Sequence, residues 1–275
     1  MSELLKVQDL LVSLSKEKKI LVDRISFSLN SGESLILLGQ SGSGKTMTCR
    51  AIMDLLDKKR FGVTGSIKFE ERELLTANRK EKQGIFGGNI ALIPQNPMTA
   101  LDPSMKVGKQ MKETLALHSD APKSQWRAIV KDALKSAGLE ETERIYNSYP
   151  HTLSGGMLQR VTIAMALMMN SKLIIADEPT TALDVVHRKY TLETFMKLRK
   201  QGAAILMVTH DFAAAIGLGG KLMVMKDGQI LEKGSVEKTL VKPQNSYTKA
   251  LIQASSLSQW DFGEEGFCVS GKTAL

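Results

Sequence analysis

Only two cysteines, Cys49 and Cys268, occur in the 275 residues. Two thiols build neither a disulfide framework nor a zinc or iron–sulfur cluster within one chain. Long hydrophobic runs are also missing. Stretches such as residues 161–169 fall far below the ~18 residues that mark a membrane span. The start, Met1-Ser2-Glu3, lacks an apolar signal core, so the expectation is a soluble chain of cytoplasmic type. Aromatics make up 5% of the sequence. None is interleaved within the basic clusters Lys58-Lys59-Arg60 and Arg79-Lys80-Glu81-Lys82. Those clusters therefore read as solvated loops, and nucleic acid is not expected as a partner. Internal repeats and long linkers are absent too.

What is present is ordinary for a globular protein. Hydrophobic residues are 43% and charged residues 24%. The length allows one large domain or two small ones. Lys plus Arg number 37 and Asp plus Glu 29, a net charge of +8. That balance admits phosphate ligands or an anionic membrane surface as partners.

Leu4, Val7, Leu10, Val12 and Leu14, then Ile20, Val22, Ile25, Phe27 and Leu29, alternate as strands joined by a Lys16-Glu17-Lys18-Lys19 turn. Residues 35–38 form an apolar run suited to a strand buried on both faces. A helix is expected over residues 45–56 and a strand over 66–70. Residues 107–170 read as mostly helical, with Met111, Leu115, Leu117, Trp126, Ile129, Val130, Ala133 and Leu134 at helical spacing. Strand signals return at 173–176 and 203–208. Asp227-Gly228 marks a hairpin turn between two short apolar runs. The expected class is α/β, a core interrupted by a helical insertion.

Gly39-Gln40-Ser41-Gly42-Ser43-Gly44-Lys45-Thr46 fits G-x-x-x-x-G-K-[ST] in full, between the buried run and the helix. The glycines let backbone N–H groups converge on phosphate oxygens, and the helix N-terminus faces the same anion. Lys45 is placed for the β and γ phosphates, and Thr46 for Mg²⁺. Downstream, an apolar run delivers Asp177-Glu178. Asp177 is the expected Mg²⁺ carboxylate and Glu178 the residue that polarises an attacking water. Cys49 and the methionines Met157, Met165, Met168 and Met169 read as packing residues.

Between the two motifs stands Leu153-Ser154-Gly155-Gly156-Met157, followed by Gln159-Arg160. With this core the sequence resembles the ATP-binding cassette (ABC) family over about residues 4–253. The resemblance implies a P-loop NTPase cassette with a RecA-like core, an N-terminal antiparallel β subdomain and a helical signature subdomain. It implies ATP shared across a head-to-tail dimer, with Ser154, Gly155 and Gly156 facing the partner's nucleotide. By resemblance, Gln95 approaches Mg²⁺ and the attacking water, Asp184 crosses the dimer interface, and His210 contacts the γ-phosphate. The cassette is expected over 1–255, with the RecA-like and β lobe at about 1–97 and 171–240. The helical lobe is expected at about 98–170, and a loosely held tail at 256–275. The family's adenine-stacking aromatic is missing from residues 12–20. Its loss removes a surface worth about 1–3 kcal/mol by analogy with nucleic-acid bases.

Gln95-Asn96-Pro97-Met98-Thr99-Ala100-Leu101-Asp102-Pro103 and Pro243-Gln244-Asn245-Ser246-Tyr247-Thr248-Lys249-Ala250-Leu251 resemble oligopeptide, dipeptide and nickel importers. The Ser154-Gly155-Gly156-Met157-Leu158-Gln159-Arg160 form and Thr46-Met47-Thr48-Cys49 are most similar to the first ATPase subunit of a nickel or metal-chelate system. The implied partners are a second ATPase subunit, two integral membrane permeases and, indirectly, an extracytoplasmic solute-binding protein. The implied place is the cytoplasmic face of the membrane. A non-transport ABC subunit of a soluble complex, such as one for phosphonate breakdown, carries nearly the same motifs.

Overall fold

A computed structural model describes residues 3–181, 183 and 185–255. Four strands make an antiparallel sheet: β1 (Glu3–Leu14), β2 (Ile20–Asn30), β4 (Phe61–Phe69) and β5 (Arg72–Glu73). Their order is β2-β1-β4-β5. A second sheet takes β3 (Ser34–Leu38), β6 (Ile90–Ile93), β7 (Leu173–Asp177), β8 (Ala204–Thr209), β9 (Lys221–Lys226) and β10 (Gln229–Ser235) in the order β10-β9-β3-β8-β7-β6. Its pairs are parallel except the β9–β10 hairpin.

Every residue of β3, β7 and β8 is buried, as continuous apolar runs require in a sheet covered on both faces. Side-chain alternation then sorts those residues between two cores. Ile36, Leu38, Ile174, Ala176 and Met207 face the helices. Leu35, Leu37, Leu173, Ile175 and Leu206 face α1 (Lys45–Ile52) and the antiparallel sheet.

A short helix, α2 (Arg79–Gln83), precedes β6. Between β6 and β7 lie α3 (Val107–His118), α4 (Trp126–Ser136), α5 (Thr142–Asn147) and α6 (Gly155–Met169). Helix α6 buries Leu158, Val161 and Ile163, each contributing about 1.5–3 kcal/mol by leaving water. The remaining helices are α7 (Val185–Lys200), α8 (Phe212–Leu218), α9 (Val236–Val241) and α10 (Ser246–Ala254). Met157, Met165, Met168 and Met169 pack against the helical core, and Cys49 is buried.

The hairpin turn forms as its residues dictate. Asp227 (φ 48°) and Gly228 (φ 80°) both take positive φ, the requirement of a type I′ turn. Four expectations need correction. Helix α1 stops at Ile52 rather than residue 56, because Asp54 turns left-handed (φ 54°) and its carboxylate pairs with Lys82 at 2.6 Å. Strand β4 begins at Phe61, since β1 pairs with it from Leu14↔Phe61 to Leu5↔Phe69. Residues 79–82 form helix rather than loop, started by an Asn78–Glu81 capping box, and Lys82 is buried. Leu117 is 77% exposed instead of lying in the core. The expected tail, residues 256–275, lies outside the described residues.

Candidate functional site

Strand β3 delivers the chain to Gly39, where backbone crowding leaves no room for a side chain. A Cβ there would sit 2.3 Å from the Met225 carbonyl oxygen. Gly44 (φ 103°) precedes α1 in a conformation that favours glycine. Gly42 (φ 83°) faces open space, with nothing within 4 Å of a built Cβ. The loop between them is exposed at Ser41 and buried at Ser43.

The Lys45 side chain bends back into this loop. Its Nζ donates to the carbonyls of Gly39 (2.8 Å) and Gln40 (2.9 Å). Burial lowers the Lys45 pKa, while the charges of Glu178 and Asp177 oppose that shift. Thr46 Oγ1 donates to Asp177 Oδ1 at 3.0 Å, joining the phosphate loop to the end of β7. Asp177 is 6% exposed. Burial raises its pKa, the Thr46 bond works against that, and the neighbouring Glu178 charge adds to it.

Glu178 turns away from Asp177 through a left-handed backbone (φ 49°) while its N–H donates to the Val208 carbonyl at 2.8 Å. Its carboxylate gathers groups from separate parts of the chain. Gln95 Nε2 donates to Oε2 at 3.0 Å. Thr181 Oγ1 donates to the same oxygen at 3.1 Å. His210 Nδ1 lies 3.1 Å from Oε1. His210 itself follows β8 and is held by its neighbour. Asp211 caps α8 through Ala213 N–H (2.8 Å) and pairs with Arg188 at 3.0 Å.

A family model described as "ABC transporter" matches residues 22–181. The chain belongs to the ABC transporter family. It binds ATP, and its hydrolysis of ATP is coupled to transport. It is 39% identical to the metal-staphylopine import system ATP-binding protein CntD of Staphylococcus aureus (strain Mu50), over 90% of this chain and 92% of that one. It is equally 39% identical to the oligopeptide transport ATP-binding protein OppD of Lactococcus lactis subsp. cremoris (strain SK11), over 87% of this chain and 71% of that one. Among solved structures, the cassette MJ0796, a dimer in a post-hydrolysis state bound to ADP and Pi, superposes with a TM-score of 0.75. The two share 26% identity, over 84% of this chain and 98% of that one.

The signature segment opens helix α6. Ser154 Oγ accepts from Met157 N–H at 3.3 Å and caps α6. Ser154 and Gly155 are exposed, and a Cβ built on Gly155 meets nothing within 4 Å. A Cβ on Gly156 would meet Leu183 at 3.4 Å, so the signature abuts the Leu183 segment. Arg160 fastens it from behind, donating to the carbonyls of Gly156 (3.3 Å) and Gly138 (2.7 Å). Asp184 lies outside the described residues. Phe61 lies cross-strand from Leu14, so folding brings an aromatic beside the stretch that lacks one. Thr181 escaped the sequence reading. Its only signal there was a hydroxyl three residues after Glu178.

Proposed function

We propose that this cassette hydrolyses ATP at a site formed by its phosphate loop, Asp177, Glu178, Gln95 and His210, and that the partner subunit's signature completes it. The convergence of Gln95 and His210 on Glu178, next to the Thr46–Asp177 bond, carries this reading. Gly39, Ser41, Gly42, Ser43 and Gly44 cradle the phosphates with backbone N–H groups. Lys45 exchanges its two carbonyl partners for phosphate oxygens. The Thr46 hydroxyl, the Gln95 amide oxygen and the Asp177 carboxylate are hard oxygen donors, a set that fits Mg²⁺ and would hold it. Held there, Mg²⁺ would supply positive charge against the charge that develops on the phosphate. Glu178 orients a water for in-line attack on the γ-phosphorus. His210 stabilises the γ-phosphate, so positioning and charge do most of the work.

Ser154, Gly155, Gly156 and Asp184 serve the partner's nucleotide in a head-to-tail pair. The second ATPase subunit, two permeases and an extracytoplasmic binding protein complete the importer, with this chain at the cytoplasmic face of the membrane. Among the described residues, no helix is long and apolar enough to cross a membrane. A cavity of about 410 Å³ lined by Arg50, Leu55, Gln95, Asn96 and Thr99 offers the permease a seat beside the catalytic cluster. Leu55 and Met98 are exposed at its edge of the fold. A larger cavity of about 570 Å³, lined by Met53, Lys58, Arg79 and Phe86 among others, holds none of the proposed catalytic residues.

The solute is nickel, a metal chelate or a short peptide, following the likeness to CntD and OppD. Purifying the complex with its binding protein and identifying the bound solute tests this. Glu178→Gln tests the chemistry. It keeps ATP binding and lowers turnover by on the order of 100-fold or more. Wild-type ATPase in that variant, measured in the assembled complex, would overturn the assignment.

A further inference from the structure

We propose that Thr181 is the positioning residue that holds Glu178 through the catalytic cycle. The inference rests on the reading of Glu178 as the group that orients water. Among the described residues, Gln95, Thr181 and His210 reach its carboxylate, but two of them have other work in that reading. Gln95 turns its amide oxygen to the metal and His210 turns to the γ-phosphate. Both contact the carboxylate in this structure, and in that reading each shares its side chain with a second partner. Thr181 has no such second duty.

Its position is fixed by the local backbone. Residues 178–181 form a turn closed by the Thr181 N–H to Glu178 carbonyl bond at 3.3 Å. Pro179 occupies the second position, where its fixed φ suits the turn. The next turn is closed by Leu183 N–H on the Thr180 carbonyl at 3.2 Å. The Thr181 hydroxyl thus travels with Glu178 and donates to Oε2 at 3.1 Å. With Oε2 held, Oε1, the oxygen that faces His210, is left to accept the hydrogen of the attacking water. A carboxylate held by one short-range bond loses less orientational freedom on reaching the transition state.

The test is steady-state ATPase in the assembled complex, with nucleotide affinity measured separately by fluorescent ADP. Thr181→Val and Thr181→Ala both remove the hydroxyl. Each lowers kcat roughly 10-fold, the size of one hydrogen bond to a charged group. KM and ADP affinity stay within about 2-fold, because the bond matters to the water and not to nucleotide binding. Thr181→Ser restores most of kcat. On a Glu178→Gln background, Thr181→Val has no further effect. Wild-type kcat in both hydroxyl-free variants, a loss confined to KM, or a serine variant as slow as valine overturns the proposal. The side chain is exposed, so folding tolerates these changes, and thermal melts verify it. If Glu178→Gln is inactive while Thr181→Val is normal, only this inference falls. If Glu178→Gln is itself active, the reading of Glu178 falls with it.

Discussion

The catalytic cluster and the signature segment are built from similar residues but meet opposite fates. Thr46, Asp177, Gln95, Glu178 and His210 satisfy one another, although the chain separates them widely. Ser154 caps its own helix, and both Ser154 and Gly155 are exposed among the described residues. The first group lies at the carboxyl ends of adjacent parallel strands, where a sheet of this kind collects its functional loops. The second lies at the start of α6, on the helical insertion. The difference teaches that one chain joins the side chains proposed for catalysis to one another while the helix N-terminus proposed for the partner's nucleotide stays exposed. That N-terminus carries the N–H groups and dipole of an anion site. In the proposed head-to-tail pair a second cassette gives it an anion to meet; the similar cassette MJ0796 is a dimer in its solved structure.

The most damaging way to sharpen this contrast is a charge at the outward end. Gly155→Asp places a carboxylate where the built Cβ meets only open space. ATPase turnover in the complex falls on the order of 100-fold, as when an anion-stabilising donor is lost. The melting temperature and the ADP affinity of the single chain stay at wild-type values. Weaker ADP binding in the isolated variant would break the separation between the two regions.

A smaller effect comes from the tie behind the phosphate loop. Lys82→Met strands Asp54 just past the end of α1 and lowers unfolding free energy by about 1–3 kcal/mol. Denaturant titration measures it. Gly155→Asp and Lys82→Met should therefore split, one touching turnover alone and the other stability.

The smallest effect belongs to the antiparallel sheet. The Glu73 carboxylate is partly buried, which pushes its pKa up. Bonds from the Ser66 hydroxyl, Ile67 N–H and Leu75 N–H outweigh that, and the net pKa lies below the ordinary 4.5. A lowered folded-state pKa means stability that is present above the unfolded value and lost as pH falls through the folded pKa. Glu73→Gln therefore melts lower than wild type at neutral pH, by a few degrees at most. The gap closes in acid. Melting curves from roughly pH 3 to pH 7 check the convergence, a range that brackets ordinary carboxylate titration.

The phosphate loop, the β7 carboxylates, the hairpin and the signature were legible because each is a run of neighbouring residues with its own local chemistry. Gly39 through Gly44 bends as a loop and hands over to α1 at Lys45. The misjudged elements depend on partners far along the chain. Strand β4 forms over Gly62 and Gly65 because β1 is there to pair with it. Lys82 is buried because Asp54 turns toward it. Gln95 and His210 were singled out by family resemblance, since polar residues so far apart share no periodicity, and their meeting on Glu178 is visible only in the fold. Thr181 was hidden for the reverse reason. It sits within a plain turn, and only the carboxylate's direction reveals its use.

Glu178 carries one further consequence in its backbone. A positive φ on a non-glycine residue costs about 1–2 kcal/mol, and Glu178 takes it at 49°. Glycine would occupy that point with less strain and would leave no carboxylate at all. The position proposed to orient water is thus one where the fold and the chemistry ask for different residues. The chain keeps the glutamate, accepting a locally less comfortable backbone for an aimed oxygen.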